Sequence, residues 1–325
     1  MSTDILTELN ELSGGSSVSS LGCPAPLVPM KNIIRRNNST FNSNIPRIFH
    51  ISFKSRCLPQ DIFRTVERWT DVLPNYSIFF HDDEAVERLI QQHWKEFPLL
   101  HDAVKCILFK GAMKIDLWRT LILYKYGGVY SDIDMWPSEI FTEKTIRNDL
   151  SAFFFVDGWN RPSQWFMATE PSHPIMYLSV KQIIHNLLQM KSLRKPRVVF
   201  VTGPEAVKTA YFNFLAPKCC NGTMQQEKVL ANNIEMEGPF GKKVIKIKTG
   251  KREKPFIYQK YQYGDMVVYN STLNITRLKR IELESGVIHW ATFNHRTRFN
   301  FPKQMSCLKY IESLSNGEIE QYSQI

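Results

Sequence analysis

Asp132 and Asp134 flank a single isoleucine, and upstream of them Asp116 and Arg119 stand three residues apart in an otherwise apolar stretch. Successive side chains of a strand alternate faces, so on an extended segment Asp132 and Asp134 point the same way. Two carboxylates side by side make a hard oxygen site for Mn²⁺ or Mg²⁺, suited to holding a diphosphate. A bare Asp-x-Asp says little, because twelve Asp in 325 residues supply roughly 0.4 such pairs by chance. The upstream pair adds more. Ala112, Asp116, Arg119 and Leu123 fall on one stripe of a helix, while Met113, Ile115, Leu117, Trp118, Leu121 and Ile122 make its other faces apolar. Such a helix is buried, and a charged pair inside it costs desolvation. Either Asp116 and Arg119 serve only each other, or they wall a cleft where Asp116 accepts sugar hydroxyls and Arg119 meets a phosphate or carboxylate.

The elements that must position these groups follow from glycine and proline punctuation. Strands are expected at 46–53, 76–81, 128–134, 152–156, 198–201, 265–269 and 286–290, and helices at 61–72, 83–94, 99–108, 112–126, 173–190 and 204–215. Gly127 and Gly128 stop the helix that carries Asp116, and Gly203-Pro204 opens the last one. The alternation predicts an α/β fold, a mostly parallel sheet with helices on both faces, whose ligands bind beyond the carboxyl ends of the strands. Asp132 and Asp134 would sit at such an end. Residues 1–40 are rich in Ser, Gly, Asn and Pro and read as a disordered stem or linker. A catalytic domain then spans 41–300, with 217–263 lacking periodicity as an insertion, and 301–325 forms a C-terminal tail.

Charge is uneven. The net charge is +10, and between Lys242 and Lys260 eight Lys or Arg face the single Glu253. No nucleic-acid motif accompanies that run, so an anionic acceptor, a nucleotide diphosphate or a membrane surface are its other partners. The cysteines at 23, 57, 106, 219, 220 and 307 have no Cys-x-x-Cys spacing, and their even number permits disulfides. Asn37, Asn38, Asn75, Asn221, Asn270 and Asn274 each open an Asn-x-Ser/Thr sequon, six where residue frequencies give roughly 2.4. That excess leans towards a lumenal protein. The printed chain has no apolar run long enough to span a bilayer and no signal-peptide pattern, so any membrane association would come through an anchor absent from it.

The stretch Ala112-x-Lys114-x-Asp116-x-x-Arg119 followed by Leu123-Tyr124-x-Tyr126-Gly127-Gly128-Val129-Tyr130-Ser131-Asp132-Ile133-Asp134 resembles the DXD-containing sugar transferases. That family includes the fungal-type Golgi initiating α-1,6-mannosyltransferases and the inositol-phosphoceramide mannosyltransferases, with the glucosylating clostridial toxins as distant relatives. Ile45-Pro46-Arg47-Ile48-Phe49-His50 resembles its opening strand, with Phe53 where a Trp is usual. Trp69 to Asp83, Met167 to Pro174 and Thr202-Gly203-Pro204 resemble later blocks, and Val287-Ile288-His289-Trp290 is the nearest segment to its closing strand.

The resemblance implies a GT-A, Rossmann-like fold and a retaining, metal-dependent hexosyltransferase. Mannose from GDP-mannose is the favoured donor, a UDP-sugar the other, and the acceptor is a glycan or glycolipid in the Golgi lumen. It implies metal ligation by Asp132 and Asp134, with His289 either a third ligand or phosphate contact or a core histidine. Asp116, Arg119 and Asp134 would be catalytic, and Phe53, Tyr130 and Asp132 would join Asp116 and Arg119 in the nucleotide-sugar pocket. Phe53 would stack on the base, unless it belongs to the core. A catalytically silent nucleotide-sugar or glycan binder of the same fold is the alternative. A glycoside hydrolase fits less well, because carboxylates two residues apart on one strand suit a shared metal better than the two sides of a bond.

Overall fold

The hydrophobic runs Ile48–Ser52, Ser77–His81 and Ala152–Val156 are buried at every position, as strands covered on both faces must be. In the computed structural model, residues 3–15, 22–35, 43–107, 111–139, 141–157, 159, 161–193, 196–216, 234–248, 262–263, 267–269 and 305–317 are described. Their strands are β1 (Val28–Pro29), β2 (Ile48–Ser52), β3 (Cys57–Leu58), β4 (Ser77–His81), β5 (Gly128–Ser131), β6 (Met135–Pro137), β7 (Ala152–Val156), β8 (Pro162–Thr169), β9 (Ile234–Glu237), β10 (Lys243–Lys248), β11 (Gln262–Tyr263) and β12 (Val267–Tyr269). The α-helices are α1 (Thr3–Leu12), α2 (Gln60–Val72), α3 (Asp83–Ile90), α4 (Leu100–Lys105), α5 (Ala112–Tyr126), α6 (Pro174–Leu188), α7 (Val198–Val201), α8 (Pro204–Leu215) and α9 (Cys307–Ser315).

The main sheet has seven strands in the order β4-β2-β5-β8-β7-β10-β9. Strands β4, β2, β5, β7 and β10 run one way, and β8 and β9 run against them. One face packs Ile48, Phe79, Tyr130, Phe154 and Met167 under residues of α3, α5, α6 and α8, and the other packs Phe49, Ile51, Val129, Phe153 and Phe166 with α2. Helices thus cover both faces of an α/β sheet, as expected.

Several local expectations are corrected. Residues 3–12 lie within the segment assigned to a linker, yet they form α1, which buries Leu9 and Leu12 in the core. Residues 22–35 are tied down as well, by a Cys23–Cys57 disulfide and buried Met30. Val198–Val201 is helical rather than extended despite its β-branched residues. The Thr202 and Gly203 amides close the turn on the Val198 carbonyl, and a tertiary contact decides it: Asn186 Nδ2 donates to the Phe200 and Val201 carbonyls. Strands β9 and β10 lie within the proposed insertion 217–263, and β10 pairs in parallel with β7. Alternation there was hidden by lysines, of which Lys246 is buried with its ammonium 5.5 Å from the Tyr211 ring centroid. In the expected tail, α9 buries Tyr310 and is joined to the end of α4 by a Cys106–Cys307 disulfide. The expected strand 286–290 lies outside the described residues.

The turn from α5 into β5 needs its glycines. Gly127 and Gly128 have φ of 64° and 93°, in the region L side chains avoid. A Cβ on Gly128 would lie 2.6 Å from the Ile48 carbonyl oxygen of the neighbouring strand. Gly128→Ala should therefore lower unfolding free energy by roughly 2–4 kcal/mol, read from denaturant midpoints. An unchanged midpoint would mean that β5 can shift without loss.

Candidate functional site

Strand β5 ends at Ser131, sooner than expected, and Asp132 to Asp134 form a turn rather than a continuing strand. The Asp132 amide donates to the Trp165 carbonyl at 2.8 Å, ending the pairing with β8, and the Met135 amide returns to the Asp132 carbonyl at 3.1 Å. Asp suits the first position of such a turn. The two carboxylates are thus brought together by turn geometry, not by a strand's period of two. Behind the turn, Trp69 of α2 donates from its indole to the Met135 carbonyl at 2.8 Å and packs on Phe49, Phe141 and Phe166, which holds the residue after Asp134 in place.

Asp116 and Arg119 lie on the face of α5 that meets this sheet end, and both are buried. Arg119 joins the pieces. Its guanidinium lies 3.4 Å from Asp116, 3.1 Å from Asp132 Oδ1, donates to the Gln164 carbonyl at 2.7 Å and stacks 4.7 Å above the Tyr130 ring. The Tyr130 hydroxyl donates to Asp132 Oδ1 at 2.6 Å. Asp116 Oδ2 accepts from the Thr202 hydroxyl at 2.9 Å, and the Thr202 carbonyl accepts from Gln164 Nε2 at 3.1 Å. The Gln164 side-chain carbonyl, in a residue only 4% exposed, has no partner among the described residues. That is an acceptor left open inside a charged cluster, where an unmet group costs about 1–3 kcal/mol unless something donates to it.

Electrostatics fit a site awaiting charge. Burial pushes the Asp116 carboxyl up to about 6, against the opposing pull of Arg119 and Thr202. Burial and then the neighbouring Asp132 charge push Asp134 up to about 7. Burial works against the Arg119 charge, yet Asp132, Tyr130, Asp116 and Asp134 outweigh it and hold the guanidinium ionised.

Phe53 follows β2 directly; its amide bonds the His81 carbonyl, and its half-buried ring packs against the core under α2. It is placed at the same sheet end as Ser131. His289 lies outside the described residues, and among those described no cluster of three His, Cys, Asp or Glu is suited to a metal. Sequence reading left out Gln164 and gave Thr202 no role; the Thr-Gly-Pro turn was the available signal for the latter.

His50 and His81 act one layer deeper. Both are fully buried: His50 Nε2 lies 3.1 Å from the Gly127 carbonyl and its Nδ1 lies 3.2 Å from His81 Nε2. A single chain of donations, His81 to His50 to Gly127, satisfies this with both rings neutral and leaves His81 Nδ1 without a partner among the described residues. Burial lowers His50 to about 4 and His81 well below its usual range. The unfolded chain takes these protons near pH 6.5, so it binds more of them between 6.5 and 4. Stability is then full above about pH 6.5 and falls as pH drops towards 4, by roughly 3 kcal/mol from His50 alone. Urea midpoints at pH 7.5 and 4.5 measure this, and a flat profile would rule out a neutral pair.

Residues 59–151 match the family model of the glycosyltransferase sugar-binding region containing the DXD motif. The matched segment holds Asp116, Arg119, Tyr130, Asp132 and Asp134, while Gln164 and Thr202 complete the cluster from outside it. The chain is similar to an initiation-specific alpha-1,6-mannosyltransferase of Candida albicans, 25% identical over 224 residues that cover 59% of this chain and 56% of that protein. It is also similar to inositol phosphoceramide mannosyltransferase 1 of Schizosaccharomyces pombe, 29% identical over 182 residues that cover 53% and 52%. The chain thus spans about half the length of these curated relatives. Among solved structures, the PaToxG glycosyltransferase aligns at 14% identity with a TM-score of 0.40, covering 65% of this chain and 76% of that one.

Proposed function

We propose that this chain is a retaining, metal-dependent hexosyltransferase that moves mannose from GDP-mannose to a glycan or glycolipid. One observation carries the reading: a continuous chain of contacts, Thr202 to Asp116 to Arg119 to Asp132, joins three separated sequence motifs at the carboxyl end of β5. Such strand ends are where open α/β sheets bind their ligands. Retention and the choice of mannose come from the family resemblance and from the names of the relatives.

Asp132 and Asp134 fit a divalent ion such as Mn²⁺: both are hard oxygen donors, and burial next to each other raises the proton affinity of Asp134, a repulsion that a cation relieves. Asp132 and Asp134 would hold the ion, which when bound would supply positive charge to the departing diphosphate. The chain's own groups do the rest. Arg119 and the Tyr130 hydroxyl fix Asp132 through its Oδ1. Asp116 and the open carbonyl of Gln164 accept hexose hydroxyls, and Phe53 stacks on the base. The buried walls exclude water from the reacting bond.

For compartment, we propose the Golgi lumen. Two disulfides, Cys23–Cys57 and Cys106–Cys307, suit an oxidising environment. Among the described residues no helix is long and apolar enough to cross a membrane. Of the sequons, Asn75 is a poor acceptor, because its side chain and amide both donate to Glu143. The others lie outside the described residues.

Incubation with radiolabelled GDP-mannose, UDP-glucose, UDP-galactose and UDP-N-acetylglucosamine, with and without Mn²⁺, tests the function. Metal-dependent release of sugar from GDP-mannose alone is the expected result. Donor binding with no turnover would make the chain a silent binder.

A further inference from the structure

Ser52 ends β2 at the same sheet end as Asp132, because β2 and β5 run parallel with Tyr130 in register beside His50. Alternation along β2 puts Ser52 on the face of Ile48, the one that packs with Tyr130 under α5. It is buried, and no motif marks it. Its hydroxyl bonds the Tyr130 hydroxyl, which in turn donates to Asp132 Oδ1 at 2.6 Å. Burial holds the phenol protonated. A phenol carries a single proton, and here that proton is given to Asp132. The bond with Ser52 must then run the other way, the serine donating and the phenol oxygen accepting. A line of donations leads from Ser52 through Tyr130 to Asp132.

The Tyr130 ring itself is held in place. Trp118 of α5 meets it edge to face with centroids 5.9 Å apart, and the Arg119 guanidinium stacks 4.7 Å from its centroid. Neither neighbour fixes where the phenol proton points, since a hydroxyl proton rotates to suit its partners. Ser52 supplies that choice: a donor on one side of the phenol oxygen turns the proton to the other. Arg119 also lies 3.1 Å from Asp132 Oδ1. Both donors thus fall on one oxygen of Asp132, and Oδ2 is the oxygen that takes neither.

We propose that Ser52 is a positioning residue for Asp132: by donating to Tyr130 it turns the phenol proton onto Asp132 Oδ1 and leaves Oδ2 for the divalent ion. This rests on the metal-dependent transfer reading and adds to it a residue that acts only through another. The full chain is titrated with Mn²⁺, the free ion being counted by electron paramagnetic resonance, and is unfolded in urea. Ser52→Ala should raise the Kd for Mn²⁺ about three- to tenfold, the size of one lost hydrogen bond between neutral groups. Ser52→Thr keeps the hydroxyl on a residue suited to a strand and should restore the Kd. Because the effect runs through Tyr130, Ser52→Ala should add nothing to the Kd once Tyr130→Phe is in place, and the two changes should be coupled in the urea midpoint as well. A Kd unmoved by Ser52→Ala, a threonine variant that binds no better than the alanine one, or effects of Ser52→Ala and Tyr130→Phe that add in full would overturn the relay. A wild type that binds no Mn²⁺ while the two changes stay coupled in unfolding would sink the metal reading and leave Ser52 positioning Asp132. Absence of both binding and coupling would sink the two together.

Discussion

Asp134→Ala should remove about a thousandfold or more of metal-dependent turnover while melting close to the wild type. Asp134 is partly exposed at a turn, and its carboxylate is raised by burial and by a like charge, so the folded apoprotein gains nothing from its ionised form. Loss of a metal anchor removes several kcal/mol of leaving-group stabilisation. Asp132 requires a gentler change. Its Oδ1 receives both Arg119 and the Tyr130 hydroxyl, so Asp132→Ala would strip partners from a buried guanidinium as well as from the ion. Asp132→Asn keeps an acceptor for both and should show the catalytic loss with little change in stability. Isothermal titration with Mn²⁺ and GDP, beside initial rates, separates the two effects. Near-normal rates in Asp134→Ala and Asp132→Asn would end the metal assignment.

The second large effect is expected at Asp116. Were the carboxylate only a counterion for Arg119, replacing both by Asn and Met would be tolerated, as isosteric exchange of buried pairs often is. The structure gives Asp116 another tie, to Thr202, whose carbonyl in turn accepts from the Gln164 side chain. Asp116→Asn should then cut turnover tenfold or more, with the melting temperature nearly unchanged, because an amide oxygen still accepts from Thr202. Gln164→Ala should raise the KM for the sugar donor. Early melting with normal turnover per folded molecule would return Asp116 and Arg119 to a purely structural pair.

Where the chain is locally self-consistent, the fold was legible. Helix α5 shows the reason: a continuous apolar surface, a glycine stop at Gly127 and a strand at Gly128 are all written in adjacent residues. Strand β8 was missed, since its eight residues are nearly all buried on both faces and show no alternation. The Val198–Val201 helix was missed because long-range bonds from Asn186 overrule β-branched propensity. At the site, Asp116, Arg119, Tyr130, Asp132 and Asp134 were readable from spacing and resemblance. Gln164 was not, because its meaning lies in an unmet carbonyl that only the meeting of β8 with α5 and the Thr202 turn creates. Lastly, residues 3–12 failed on composition, because Leu9 and Leu12, with Ile5 and Leu6 packed beside them, dock α1 on the core.

The Cys106–Cys307 bond closes a covalent ring between cysteines 201 positions apart, and Asp116, Arg119, Asp132, Asp134, Gln164 and Thr202 all lie inside it. A protease that cuts once anywhere within that ring leaves a single molecule of unchanged mass apart from one added water, which separates into two pieces only after reduction. The bond also cannot close until residue 307 has been synthesised, after every named side chain of the proposed donor site. Cys23–Cys57 can close far earlier. The nascent chain therefore passes through a stage with its first staple set and its catalytic ring still open, and any truncation before residue 307 would leave Cys106 as an unpaired thiol at the edge of the core, available for mispairing.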